Sequence, residues 1–426
     1  MKNIIILCDG TGNEISENIS NVLKFYRCLR KTEKSEPRQM VFYDPGVGTL
    51  ALPDPWHRFK QNFNAILGLA TGYGLDDKVL QSYLFLVRTW EPGDRIYLFG
   101  FSRGAYSVRV LAGLIHKVGL IAPEQANLAA SGLTAYKQFS SSGHYGSGDG
   151  LKGFTDGGEP PPPAHDDQAA QFARITSTRW PLIRFVGVWD TVASVIVPRR
   201  DRIFYIPSFE ELAFTLQNPS VETFRQAISI DERRAMFRLK KWDEPQTFTL
   251  NRFNSAGAKP QDSRQVWFAG VHSDVGGGYP EKQSGLSKYP LLWMIEQAME
   301  AGLKFNTSTI NQLAWGIQRK NSPFSYVAPG AEAMLHTSLH GFWWLLEFFP
   351  KNAKYREWPA RKTFLGRYIP DAEPRPIPEG AFVHESVTRR MDAVRDYRPV
   401  NLPARFETVP MPVPPLHASA EDEEEA

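Results

Sequence analysis

The sequence predicts an α/β fold: a mostly parallel central sheet with helices on both faces. Three observations predict it. Asn3–Cys8, Arg95–Gly100, Ile183–Trp189 and Gln265–Val271 are near-continuous runs of apolar, β-branched and aromatic residues, the pattern of strands buried on both faces. Each run opens into a small-residue turn that carries a reactive side chain, in order DGTGN, FSRGA, DTVAS and HSDVGGGY. Stretches with apolar residues at helical spacing lie between them, and parallel strands need such crossovers.

In chain order, the apolar run Ile4 to Cys8 is too short for the apolar region of a signal peptide and meets polar turn residues at once. It reads as a buried strand. Ala65 to Trp90 repeats Val79, Tyr83, Leu86 and Val87 on one helical face and stops at the turn Glu91 to Asp94. After the strand Arg95–Gly100, Ala105 to Val118 continues with Val108, Leu111, Ala112 and Ile115. Tyr289 to Ala301 is a third amphipathic helix, closed by Gly302. Between positions of about 140 and 167 the chain is rich in Gly, Ser and Pro and has almost no aliphatic side chains, so it reads as a mobile surface insertion.

The chain has 426 residues, 42% of them hydrophobic, which excludes collagen, bulk disorder and a small disulfide scaffold. Cys8 and Cys28 are its two cysteines, so there is no disulfide framework and no zinc spacing. The net charge is +3; without the five acidic residues from Glu421 to Glu425 it is +8, from 49 basic and 41 acidic residues. That is mildly basic, far from a nucleic-acid-binding stripe. The longest apolar stretch, Gly341 to Phe349, is about half a membrane span and contains Glu347, so no transmembrane helix is expected. Synthesis in the cytoplasm is expected, without a signal peptide.

The strongest chemical signal is Gly100-Phe101-Ser102-Arg103-Gly104, a GxSxG. It follows a strand and opens a helix, the setting of a nucleophile elbow. Gly100 and Gly104 suit a turn that strains the serine backbone while strand and helix pass close together. The Arg103 amide, at the helix N-terminus, is one candidate oxyanion donor. A serine hydroxyl needs a neighbouring imidazole to take its proton and a carboxylate to orient that imidazole. In α/β-hydrolases these follow in the order Ser, Asp or Glu, His. Asp190 directly follows the strand IRFVGVW. Asp201, Asp231 and Glu232 lie in charge-rich stretches that read as solvated surface. His336, His340, His384 and His417 also lie downstream of Asp190, but His272 ends an apolar strand and precedes a glycine-rich loop. It is the candidate base, with His384 in reserve, and Asp274 either orients it or caps the next turn. The turn after the first strand offers the amides of Gly10 and Thr11 as further oxyanion donors. GxxxxGK[ST] does not occur, which argues against nucleotide binding. No metal and no cofactor is required.

Together, CDGTGN, GFSRGAYSVR, GVWDTVAS and AGVHSDVGGGY resemble the bacterial and fungal family of uncharacterised α/β-hydrolase domains that includes the type VI secretion phospholipase effectors. The resemblance spans roughly residues 1 to 300 in four ordered blocks. It implies an α/β-hydrolase fold with Ser102, Asp190 and His272 at the catalytic positions, and hydrolysis of lipid acyl esters. It further implies delivery out of the cell by a contractile secretion machine and neutralisation in the producer by an immunity protein. On this reading residues 1–302 are the catalytic domain, 303–416 a cap or second lobe, and 417–426 a disordered acidic tail. The run Phe342, Trp343, Trp344, Leu345, Leu346, Phe348 and Phe349 is apolar nearly all round and reads as a core helix. A lid or an interfacial contact with a membrane is the competing reading. The rival functions are a soluble esterase on a smaller acyl ester and a binding protein that keeps the elbow without turnover.

Overall fold

A computed structural model describes residues 1–10, 18–33, 35–46, 74–141, 167–176, 178–192, 196–198, 207–209, 212–254, 256–320, 322–339, 342–353 and 356–414. Its centre is an eight-stranded sheet. In chain order the strands are β1 (Asn3–Cys8), β2 (Gln39–Asp44), β3 (Arg95–Phe101), β4 (Ile183–Trp189), β5 (Val221–Ser229), β6 (Asp262–Phe268), β7 (Ala381–His384) and β8 (Phe406–Val409). Their spatial order is β8-β7-β6-β5-β4-β3-β1-β2, and every neighbouring pair is parallel. The helices are α1 (Asn21–Cys28), α2 (Leu75–Thr89), α3 (Arg103–Val118), α4 (Ala129–Ser141), α5 (Gln168–Ile175), α6 (His272–Gly276), α7 (Lys288–Glu300), α8 (Thr307–Leu313), α9 (Phe342–Glu347) and α10 (Glu385–Ala393).

Two hydrophobic cores lie on opposite faces of the sheet. Side chains of β1 alternate between them: Ile4, Ile6 and Cys8 pack with α2 and α3, whereas Ile5 and Leu7 pack with α1 and α7. That alternation explains why β1 has no polar face. Both cysteines are buried and unpaired, Cys8 on β1 and Cys28 at the end of α1. Burial first of all pushes each thiol up to about 12.

The strand order reverses between β1 and β3, so the turns after these two strands open side by side at one edge of the sheet. Such a switch point is where open parallel sheets form their crevice. The serine elbow follows β3 and the Asp9-Gly10 turn follows β1.

The structure differs from expectation in several places. The strand expected over Gln265–Val271 runs over Asp262–Phe268, because Gly270, at φ 114°, turns the chain into α6. The helix expected over Ala65–Trp90 appears as α2, its first part lying outside the described residues. Within 303–416, β7 and β8 extend the central sheet. Residues 142–166 of the expected insertion and the tail 417–426 lie outside the described residues. Trp344, Phe348 and Phe349 are exposed rather than in the core. The reason is Glu347, which is buried and accepts hydrogen bonds from the amides of Ala235 and Ala372. Turning that side of α9 inward turns Trp344 and Phe348, four residues apart on another face, outward. Among the described residues no helix is long and apolar enough to cross a membrane.

Candidate active site

Ser102 stands between β3 and α3 with φ 57° and ψ −121°, a region that non-glycine residues seldom occupy. Its amide donates to the carbonyl of Trp189 at the end of β4 (3.1 Å), which ties the strained residue to the sheet. The two flanking glycines are steric necessities. A Cβ on Gly100 would lie 2.5 Å from the Gly104 carbonyl carbon, and one on Gly104 would lie 2.1 Å from the Cys8 carbonyl oxygen. The first turn of α3 therefore rests directly on the end of β1.

The structure brings together the three side chains the sequence singled out. His272 Nε2 is 2.8 Å from Ser102 Oγ, and His272 Nδ1 is 2.5 Å from Asp190 Oδ2. All three residues are buried. His272 opens α6, and the backbone amide of the preceding Val271 donates to the Asp274 carboxylate (3.1 Å). The imidazole packs against Phe101 and Phe237, with ring centroids 4.6 and 5.0 Å away. Asp190 follows β4 at φ 38°.

Burial, followed by the nearby Arg234 among the opposing influences, lowers the His272 pKa below the ordinary value of 6.5, although Asp190 favours the charged ring. Burial would raise Asp190, but Arg375 and His272 outweigh it and hold the carboxyl well below the usual range. Arg375 grips Asp190 with two contacts, Nη1 to Oδ1 at 2.6 Å and Nη2 to Oδ2 at 3.2 Å. Ser229, the last residue of β5, adds its amide and hydroxyl to Oδ1, each at 3.0 Å. Both carboxylate oxygens are thus fixed by groups that tolerate only the charged form.

Arg375 and Ser229 were not evident in the sequence. Ser229 would follow once β5 were recognised, since β5 runs in register beside β4 and Ser229 reaches the level of Asp190. Arg375 sits in a Pro-rich loop, Pro374-Arg375-Pro376, with no periodic or motif signal. The solvated reading of Asp231 and Glu232 is corrected. Glu232 is buried and receives the His272 backbone amide (3.2 Å), the Arg234 guanidinium (2.8 Å) and the Ser338 hydroxyl (2.9 Å). Burial opposes its charge, but Arg234 prevails and brings it down to about 2. Asp231 receives the amide of Gly270 (2.8 Å) and the hydroxyl of Tyr397 (2.9 Å). Asp201 lies outside the described residues.

On the β1 side, the Gly10 amide donates to Asp9 Oδ1 (2.7 Å), while Asp9 Oδ2 accepts from Tyr43 (2.9 Å) and from Ser20. Thr11 lies outside the described residues. The Arg103 amide heads α3 beside Ser102. Two of the other downstream histidines, His336 and His384, are occupied elsewhere. His336 Nδ1 pairs with Asp274 (2.6 Å) under the Tyr279 ring. His384 caps α10 through Nδ1, stacks on Phe268 and is brought down to about 3 by burial. His340 and His417 lie outside the described residues. Among the described residues no group of three or more His, Cys, Asp or Glu side chains could hold a metal ion.

The family model described as the type VI secretion phospholipase effector Tle1-like catalytic domain matches residues 2–297. The chain belongs to this Tle1-like family. A protein called uncharacterised, YEL023C of Saccharomyces cerevisiae, is 33% identical over 243 residues, 56% of this chain and 32% of the yeast protein. The chain spans about a third of that relative's length. An uncharacterised protein from Pseudomonas aeruginosa is 18% identical with a TM-score of 0.34, over 72% of this chain and 46% of that one. A Tle1 effector solved bound to the VgrG spike of the type VI secretion system is 18% identical with a TM-score of 0.33, over 67% of this chain and 52% of that one.

Proposed function

We propose that this Tle1-like protein is a serine carboxylic-ester hydrolase that cleaves acyl esters of phospholipids. One observation carries the reading: the line of contacts from the Ser102 hydroxyl through His272 to the buried carboxylate of Asp190, mounted on a strained elbow. Family membership supports phospholipid as the substrate.

In the first half-reaction Ser102 Oγ attacks the ester carbonyl as its proton passes to His272 Nε2. Asp190, held ionised by Arg375, accepts the Nδ1 proton in a hydrogen bond and stabilises the imidazolium without itself becoming protonated. The tetrahedral intermediate collapses, His272 returns the proton to the departing alkoxide, and an acyl-enzyme remains. Water then gives a proton to His272, attacks the acyl carbon and releases the fatty acid with Ser102 restored. The Arg103 amide is one oxyanion donor and the Gly10-Thr11 turn supplies the other. Gly10 would first exchange its bond to Asp9 for one to the substrate oxygen, so the hole is completed on binding.

By the same family membership, we read the chain as an effector carried out of the cell by the type VI apparatus and held in check in the producer by an immunity protein.

A fluorophosphonate probe should label the wild-type chain and leave Ser102→Ala unlabelled. His272→Ala should lower turnover on the order of a thousandfold or more. Defined phospholipids should release fatty acid and lysophospholipid detectable by mass spectrometry. Equal labelling of wild type and Ser102→Ala would remove the serine from the mechanism.

A further inference from the structure

The described residues between Trp343 and Ile369 show an uncommon surface. Phe364 and Leu365 form the tip of a hairpin and are 79% and 85% exposed, with Trp344, Phe348, Phe349 and Ile369 exposed on the same segment. The hairpin pairs Lys351-Asn352 with Arg367-Tyr368, which sets Phe348 and Phe349 beside the strand leading to Ile369. Just before Arg367 a tight turn is closed by two bonds, Phe364 N to Arg367 O (2.8 Å) and Arg367 N to Phe364 O (2.9 Å). The two central residues, Leu365 and Gly366, have φ 48° and 70°. A turn of this kind favours Asn-Gly; a leucine there is strained and gains nothing from the fold it leaves exposed. Stability does not explain Leu365, and an external apolar contact does.

Charge around the tip indicates the partner. The two acidic residues of the segment are engaged inward: Glu347 with backbone amides and Glu357 with Arg238. Arg356, Lys362 and Arg367 are exposed around the tip. Exposed Trp, Phe and Leu ringed by cations match the boundary between acyl chains and anionic headgroups. The surface also adjoins the active site. Phe237 packs with Trp343 of α9 at 5.4 Å and with the His272 imidazole at 5.0 Å.

We propose that the exposed side chains of Trp344, Phe348, Phe349, Phe364, Leu365 and Ile369 form the surface by which the protein docks on an anionic lipid bilayer, Phe364 and Leu365 entering the acyl boundary while Arg356, Lys362 and Arg367 meet headgroup phosphates. The proposal deepens the reading of the site as a phospholipid hydrolase and rests on it, but its test needs no turnover. The full-length Ser102→Ala chain is sedimented with vesicles of phosphatidylcholine and phosphatidylglycerol, and with vesicles of phosphatidylcholine alone. It should bind the anionic vesicles more strongly, and less so as salt rises. Phe364→Ser with Leu365→Asn should weaken that binding on the order of tenfold or more. The thermal midpoint should hold or rise, because asparagine tolerates the left-handed turn. Lys362→Glu with Arg367→Glu leaves the central turn residues Leu365 and Gly366 intact and should weaken binding to the anionic vesicles alone. Absence of vesicle binding by the parent, or equal binding by both variants, would overturn the proposal. So would a dimer of the parent chain in light scattering that the tip variant converts to monomer, since the patch would then be covered by a second copy. Fluorophosphonate labelling of the serine-containing chain tests the hydrolase reading separately.

Discussion

At the scale of single residues, the site is governed by how charge is distributed around one buried carboxylate. Asp190 shares its oxygens between the imidazole and a guanidinium, so its negative charge is partly spent on Arg375 before it reaches His272. Burial disfavours the imidazolium, and the proposed mechanism needs the base in its neutral form. The acid limb of kcat/KM is therefore expected with a midpoint below about 6.5. Replacing Arg375 with Gln frees the Asp190 charge to stabilise the imidazolium, which should move that limb to higher pH and lower turnover, while Arg375→Lys should recover part of the shift. A pH–rate profile of the three proteins reads this directly; a limb that stays put or moves down would deny Arg375 its positioning role. Ser102, Asp190 and His272 were legible because each ends a buried strand in a turn. Arg375 was not, because nothing local distinguishes a loop arginine that crosses the molecule from one in solvent.

At the scale of elements, β1, β3 and β4 were visible as apolar runs, whereas β5 was hidden. Its residues Thr223, Arg225 and Gln226 are polar yet buried. Arg225 is satisfied by Gln297 at 2.6 Å and by both carboxylate oxygens of Asp262 at 2.9 Å, and Gln226 receives Arg109 at 2.6 Å. A hydrophobic pattern cannot report a strand whose polar groups are paired inside the protein. The elbow is the opposite case, where the pattern and the steric demand agree. Gly104→Ala would drive a methyl group into the Cys8 backbone, which cannot rotate away as a side chain would. A loss of about 2 kcal/mol or more is expected, measurable by chemical denaturation. A variant as stable as wild type would mean that α3 can lift from β1 at little cost.

At the scale of the whole molecule, the family match ends at residue 297, but the site does not. Arg375 reaches back to Asp190, Asn401 holds the carbonyls of Ile230 and Arg375 (each 3.0 Å), and β7 and β8 continue the sheet past β6. A chain cut after Gly302 should lose the guanidinium that keeps Asp190 ionised and bare the edge of β6, leaving an unstable or aggregating protein. Size-exclusion chromatography and thermal unfolding of residues 1–302 would check this, and a monomeric fragment with full activity would contradict it. The sequence suggested a lobe for this region because its strands are only four residues each and lie between Pro-rich stretches, with no long apolar run to reveal their place in the sheet.

The two sealed thiols have a consequence of their own. A cysteine that is neither exposed nor readily ionised offers oxidants and alkylating agents almost no thiolate. With no cross-link to form or break, the folded chain should show the same thermal midpoint in reductant and in air. A change from a reducing to an oxidising medium would demand no covalent adjustment of it.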